Sequence, residues 1–177
     1  MNWAHRLATE RDVPELERLI PLSVRTLQAP YYSAAQMEAA LGPVFGVDRQ
    51  LIDDQTYYVV ERDGLIIGCG GWSKRKSLFG GAAARTQADS ELDPSCDAAR
   101  VRAFFVHPDW ARRGVARTLL LACEEAIAKA RFSRIELVAT LAGEPLYARF
   151  GYTATERYDG PLRDGLKLPV MRMTKDC

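Results

Sequence analysis

The chain of 177 residues predicts a mixed α/β fold organised around one sheet. Three observations carry that prediction. Runs with strand character alternate with runs of helical period along the chain. Asp63-Gly64 separates two strand-like runs as a two-residue hairpin turn. Residues 101–106 form an almost unbroken apolar run, as a central strand does when both its faces are covered. No internal repeat or linker divides the sequence, so residues 1–177 are assigned to one domain with a long loop at about 74–98.

Taken in order, residues 4–7 read as the first strand. Thr9 or Asp12 can cap the helix that follows, with Pro14 in its permissive first turn. Leu16, Leu19, Ile20, Ser23, Val24 and Leu27 then recur at helical spacing. Pro21 interrupts that face and is expected to kink the helix or divide it in two, because it lacks the N–H that would bond one turn back. Residues 34–41 give a second short helix, and 48–53 a third turn. From Thr56 the period becomes that of strands: residues 56–61 and 65–72 flank the Asp63-Gly64 turn as an antiparallel pair. Residues 74–98 carry basic, glycine-alanine and acidic patches with no apolar period. A connection of that length is expected to be functional or mobile, and to lie near the mouth of a substrate site. Beyond the central strand, Val115, Leu119, Ala122, Cys123, Ala126, Ile127 and Ala130 make one apolar helical stripe, leaving Arg117, Glu124, Glu125 and Lys129 to solvent. Residues 135–139 are the next strand, 144–150 a short helix, and 153–158 and 168–174 the last two strands.

Composition sets limits on function. A hydrophobic content of 47% is ample for a core. The 24 basic against 23 acidic residues create no global field that would point to nucleic acid or an anionic membrane, so any phosphate binding is local. Residues 1–10 lack a basic and then apolar signal region, and no apolar run approaches the ~20 residues needed to cross a bilayer. A cytoplasmic protein with a small partner is expected. Cys69, Cys96, Cys123 and Cys177 are scattered without zinc or redox spacing, and Cys69 and Cys123 read as small core residues.

The stretch from Arg100 to Arg117 is the most informative. It reads as a buried strand, a short turn after Val106-His107-Pro108, and a helix that opens on Arg112, Arg113 and Gly114. A helix start of this kind offers unpaired N–H groups and the positive end of the dipole to a phosphate, and a glycine allows close approach. Arginines at this position oppose the dipole, so a purely structural cap would carry acidic residues instead. The three glycines of a dinucleotide fingerprint and the Gly-Lys-hydroxyl sequence of a Walker loop are both lacking.

Here the chain resembles the GCN5-related N-acetyltransferase (GNAT) superfamily, whose pyrophosphate loop runs Gln or Arg, two variable residues, Gly, one variable residue, then Gly or Ala. Gly114 and Ala116 match. Ala111 does not match the leading Gln or Arg, so a side chain that often braces the turn in relatives is missing, while the backbone amides are intact. Leu146-Tyr147-Ala148-Arg149-Phe150-Gly151-Tyr152 looks like the superfamily's closing motif, a Tyr followed four residues later by Gly and an aromatic. Residues 4–27 are a weaker match to its first strand and helix.

The resemblance implies a central, mostly antiparallel sheet of about seven strands flanked by helices, and direct transfer of an acetyl group from acetyl-CoA to an amine of a small molecule or peptide, with no metal. It implies that Ala111, Arg112, Arg113, Gly114, Val115, Ala116 and Arg117 hold the pyrophosphate. It also implies that a splay between two central strands receives the pantetheine arm, that a backbone N–H near Phe105 or Val106 faces the acetyl oxygen, and that Tyr147 protonates the departing thiolate. Related folds often form homodimers. The general base stays open: relatives that use a carboxylate often place it at the start of the central strand, where this chain has Arg100, which cannot serve near neutral pH. Glu61, Asp89, Glu91, Asp93 or a water chain could substitute, and His107 has a suitable intrinsic pKa but fits a turn. Substrate selection is assigned to Gln28-Ala29-Pro30-Tyr31-Tyr32, Gly70-Gly71-Trp72 and Leu78-Phe79-Gly80-Gly81, with Tyr31, Glu61, Trp72 and Phe79 as candidate contacts. Lys74-Arg75-Lys76 could attract an acidic acceptor or be a solvated run. Two alternatives stand beside this reading: an acyl-CoA-binding sensor or interaction module without catalysis, and an acyltransferase that uses another acyl chain.

Overall fold

A computed structural model describes residues 3–77 and 90–177. The strands are β1 (Ala4–Leu7), β2 (Tyr57–Arg62), β3 (Leu65–Ser73), β4 (Ala99–Val106), β5 (Arg134–Thr140), β6 (Thr153–Pro161) and β7 (Lys167–Asp176); the helices are α1 (Val13–Leu27), α2 (Ala34–Ala40), α3 (Arg49–Asp53), α4 (Val115–Lys129) and α5 (Glu144–Arg149). One seven-stranded sheet runs in the order β1-β2-β3-β4-β5-β7-β6. Every neighbouring pair is antiparallel except β4 and β5. This is the mixed α/β, mostly antiparallel architecture expected from the sequence.

Local chemistry accounts for the elements. Asp63 and Gly64 turn the β2–β3 hairpin with φ of +51° and +80°, the left-handed pair that matches strand twist. Ser33 caps α2 by accepting from Gln36 N at 3.1 Å, and Asp48 caps α3 by accepting from Leu51 N. In β2, Val59 packs with α1 and α2, whereas its neighbour Val60 packs with Val115 and Leu119 of α4. Successive side chains thus enter opposite cores, and the sheet is covered on both faces.

Three expectations are revised. Of the two outcomes expected at Pro21, division is not found, since α1 runs from Val13 to Leu27 through it; the carbonyl the proline leaves unbonded belongs to Glu17, an exposed residue where water can take up the bond. Glu124 is not left to solvent but is half-buried, holding Lys175 at 2.8 Å, while Leu120 joins the buried face of α4. The long loop has a stem: Lys76 N donates to Ser90 O at 3.1 Å, Leu92 N donates to Lys74 O at 2.7 Å, and Leu92 is buried against Trp72. Among the described residues no helix is long and apolar enough to cross a membrane.

Candidate active site

The central strands part to make the site. β4 and β5 pair only from Ala99–Ile135 to Val101–Leu137. Beyond that point β4 stays with β3, β5 stays with β7, and the wedge between them opens into a cavity of about 1160 Å³ lined by Phe104, Phe105 and Val106 on one side and Val138 to Thr140 on the other. The divergence has a local cause. The β3–β4 register shifts between Cys69 and Gly71, and Ala103 takes a φ of +62°. A bulge of this kind bends the strand and increases its twist. It depends on the β3 glycines, since a Cβ on Gly70 would lie 2.6 Å from the Phe104 ring and one on Gly71 would lie 2.6 Å from Thr56 O.

At the wide end, β4 leads through the Pro108–Trp110 turn to α4. No N–H from Arg112 to Arg117 makes a well-formed bond to a backbone carbonyl among the described residues; the first is Thr118 N to Gly114 O at 3.0 Å. Together with the helix dipole this leaves a concave set of donors fit for a phosphate. Gly114 caps α4 at φ +101°, and a Cβ there would meet only Trp3, at 3.8 Å. The glycine is therefore required by its backbone conformation rather than by neighbouring protein atoms. A second glycine seats the helix: a Cβ on Gly68 would fall 2.5 Å from Val115 Cγ1, so Gly68 lets the start of α4 close against β3.

Trp110 supplies bracing that Ala111 cannot. The guanidinium groups of Arg62 and Arg113 lie over its ring, 4.6 Å and 5.1 Å from the centroid, with Trp3 edge-on at 6.3 Å. Thr118 Oγ1 accepts from Trp3 Nε1 and donates to Gly114 O. Ala111, Arg112, Gly114, Val115, Ala116 and Arg117 line the cavity; Arg113 does not, because its side chain stands on Trp110.

Tyr147 enters from α5. Gly143 at the helix start lets the ring lie close, a Cβ there being 3.3 Å from Tyr147 Cε2. At the other end Gly151 has φ +86°, and Tyr152 N returns to Tyr147 O at 3.1 Å. The four-residue spacing of the motif is thus a left-handed helix ending that folds the second aromatic back on the first. The Tyr147 ring contacts Tyr152 at 5.7 Å and Phe104 at 6.2 Å, so it is fixed against the bulged strand at the wedge. Burial pushes its hydroxyl pKa up from 10.0.

Other expected residues lie elsewhere. Glu61 is not at the cavity: it pairs with Arg6 at 2.5 Å on the β1–β2 side of the sheet. Trp72 is not a pocket wall but a core residue edge-on to Phe132, and Gly70 and Gly71 serve close packing. Tyr31 lines the cavity and is 49% exposed. His107 Nδ1 accepts from Asp109 N at 3.2 Å and so caps the turn. Arg100 is held by Glu136, Glu91 lies 3.1 Å from Lys74, and Asp93 caps its own turn through Ser95. Lys74 and Arg75 are accordingly internal partners, Arg75 binding Asp54 at 2.6 Å. No described residue of the 74–98 loop lines the cavity, and Phe79 and Asp89 lie outside the described residues. Val106 N–H is already engaged, donating to Ser23 Oγ at 3.2 Å, so it is not free for an acetyl oxygen. Cys69 and Cys123 are buried free thiols, and burial pushes the Cys69 thiol up to about 12. Sequence reasoning missed Ser23, Trp110 and Arg149. A tryptophan beside two arginines was the one legible sign of the Trp110 brace.

The family model for the acetyltransferase (GNAT) domain matches residues 53–154, more than half of the chain. The chain belongs to the GNAT acetyltransferase family. That span includes the splayed strands, the Gly114 loop and Tyr147. Among solved structures, the GNAT chain is similar to a GCN5-related N-acetyltransferase of Rhodopseudomonas palustris, with TM-score 0.72 and 20% identity over 100% of this chain and 97% of that one. It is also similar to the PaiA N-acetyltransferase of Thermoplasma acidophilum in complex with coenzyme A (TM-score 0.68, 15% identity, 100% of both chains). A third is YncA, a putative acetyltransferase of Salmonella typhimurium with its cofactor acetyl-CoA (TM-score 0.61, 15% identity, 98% of this chain and 93% of that one). At these identities the likeness is one of fold. No curated protein sequence matches the chain.

Proposed function

We propose that this GNAT chain, read as one domain, moves an acetyl group from acetyl-CoA to an amine by direct attack within a ternary complex. The observation that carries the reading is the run of unbonded N–H groups from Arg112 to Arg117, set at the open end of the β4–β5 wedge. The two solved relatives that hold coenzyme A or acetyl-CoA support it. The loop amides and the dipole of α4 take the pyrophosphate, Arg112 and Arg117 add local positive charge, and the wedge takes the pantetheine arm.

Acetyl-CoA supplies an activated thioester. The amine forms the C–N bond as the C–S bond breaks, Tyr147 passes its proton to the departing sulfur, and the proton lost by the amine reaches solvent, from which Tyr147 is recharged. Such a proton donor contributes roughly 10²–10⁴ in rate. Among the described residues no carboxylate or histidine lines the cavity. No described side chain is placed to take the amine's proton, which is read as passing to water from an amine that arrives uncharged.

Gly114→Glu tests the phosphate assignment. It places an L side chain at φ +101° and a carboxylate among donors meant for phosphate. Acetyl-CoA affinity by calorimetry should fall at least ~100-fold, with the far-ultraviolet circular dichroism spectrum unchanged. Unchanged affinity would remove the assignment. Thiol release with an amine panel separates a transferase from a non-catalytic acyl-CoA sensor, and a series of acyl-CoA lengths separates acetyl from other acyl preferences.

A further inference from the structure

The inference rests on the acetyltransferase reading and concerns a hydroxyl in the wedge. Ser23 belongs to α1, lines the cavity and is 5% exposed. Its Oγ accepts from Val106 N at 3.2 Å. Strand alternation shows where that contact lies. His107 N, the next amide along the chain, donates to Ile67 O of β3 at 2.9 Å, and successive amides of an extended strand point to opposite edges. Val106 N–H therefore points away from β3, toward the edge that β5 has left, and Ser23 Oγ stands at that open edge. A hydroxyl that accepts in this way still has its own proton to give. Within a helix a serine ordinarily gives it to the carbonyl one turn back, here Leu19 O, but among the described residues the Ser23 hydroxyl donates to no acceptor. Native interiors rarely leave a buried donor unspent, and this one borders the wedge assigned to the pantetheine arm.

We infer that Ser23 is a catalytic residue whose hydroxyl donates to the acetyl oxygen of acetyl-CoA, with Val106 N–H acting through it. Position selects that oxygen. Ser23 faces the open edge of β4 on one side and lies one turn before Leu27, which lines the far half of the cavity, so it stands where the thioester end of the arm meets an incoming amine. Negative charge gathers on the acetyl oxygen as the C–N bond forms and is given back as the C–S bond breaks; Ser23 holds that charge by a hydrogen bond and keeps its proton throughout. Accepting from Val106 N–H polarises the hydroxyl and makes it a stronger donor. Ser23 thus serves the oxygen, while Tyr147 serves the sulfur.

The test uses the full chain and acetyl-CoA isotopically labelled at the acetyl carbonyl carbon. In infrared difference spectra the labelled band of the bound molecule should lie below its position in free acetyl-CoA, because a hydrogen bond weakens the C=O bond. It should return toward that position in Ser23→Ala and stay low in Ser23→Thr, which keeps a hydroxyl. The label reports the acetyl group alone, so a serine bonded to a pantetheine amide instead would leave the band unmoved, and the band decides whether or not an acceptor has been found. With an amine that the wild type acetylates, kcat of Ser23→Ala should fall about 10²-fold or more, the loss expected for one oxyanion donor, while acetyl-CoA affinity by calorimetry stays within about threefold. If the alanine variant melts below the wild type, Ser23→Cys, close in size but a weak donor, replaces it. A band at the same position in the wild type and the donor-poor variant, or a kcat kept within about twofold, overturns the inference. Calorimetry on the same samples separates the two readings: binding with an unmoved band overturns this inference alone, whereas absence of acetyl-CoA binding to the wild type overturns the acetyltransferase reading beneath it.

Discussion

Burial holds the Tyr147 hydroxyl in its protonated form well beyond neutral pH, and for a group proposed to give up a proton this fixes the direction of its pH dependence. Its pKa is raised above 10.0, so the proton is retained as pH climbs from neutral toward that value, and no loss of turnover from Tyr147 is expected over that range. Tyr147→Phe keeps the ring contacts with Phe104 and Tyr152 and removes only the hydroxyl. Turnover should fall about 10²-fold or more while acetyl-CoA affinity stays within about twofold, as read by steady-state kinetics and calorimetry. Wild-type turnover across the pH range would take Tyr147 out of the chemistry. The same scale explains why neighbouring residues do different work. Arg112 lines the cavity, whereas Arg113 does not and lies over the Trp110 ring at 5.1 Å.

At the scale of elements, three glycines of β3 decide how the site opens. Gly68 admits Val115 and the start of α4, Gly70 admits the ring of Phe104, and Gly71 admits the carbonyl of Thr56. All three lie in a strand buried along almost its whole length, where glycine is otherwise a poor choice. Gly71→Ala should destabilise the protein by about 1–3 kcal/mol, because the atom its Cβ would strike at 2.6 Å is backbone and cannot swing aside. Urea unfolding followed by circular dichroism measures this, and a change below about 0.5 kcal/mol would contradict it. The hairpin at Asp63-Gly64 was legible in the sequence because it depends on residues within one turn of chain. The continuity of α1 through Pro21 was not: it depends on Leu16, Leu19, Ile20 and Val24 being packed into the core on both sides of the proline, which a local rule does not count.

Across the whole molecule, one sheet joins strands from Ala4 to Asp176, and the cavity lies where its central parallel pair separates. Behind that opening the Asp48 and Arg102 side chains, 0% and 4% exposed, pair at 2.8 Å and tie the cap of α3 to β4. Removing one member leaves the other charge buried, so Asp48→Ala should cost about 3–5 kcal/mol in urea unfolding; a loss no larger than that of an exposed pair, about 0–1 kcal/mol, would refute the assignment. By itself the sequence determined the order of the elements, the glycine-capped start of α4 with its free N–H groups, and the Tyr147 motif. Each is written in contiguous residues, through hydrophobic period, backbone donors and glycines at left-handed turns. The tertiary structure alone decided that β4 and β5 part after Val101, that Glu61 and Trp72 belong to other neighbours, and that Trp110 braces the loop. These outcomes depend on register and on contacts between residues distant along the chain, and no local pattern of residues encodes which of two suitable partners a side chain will meet.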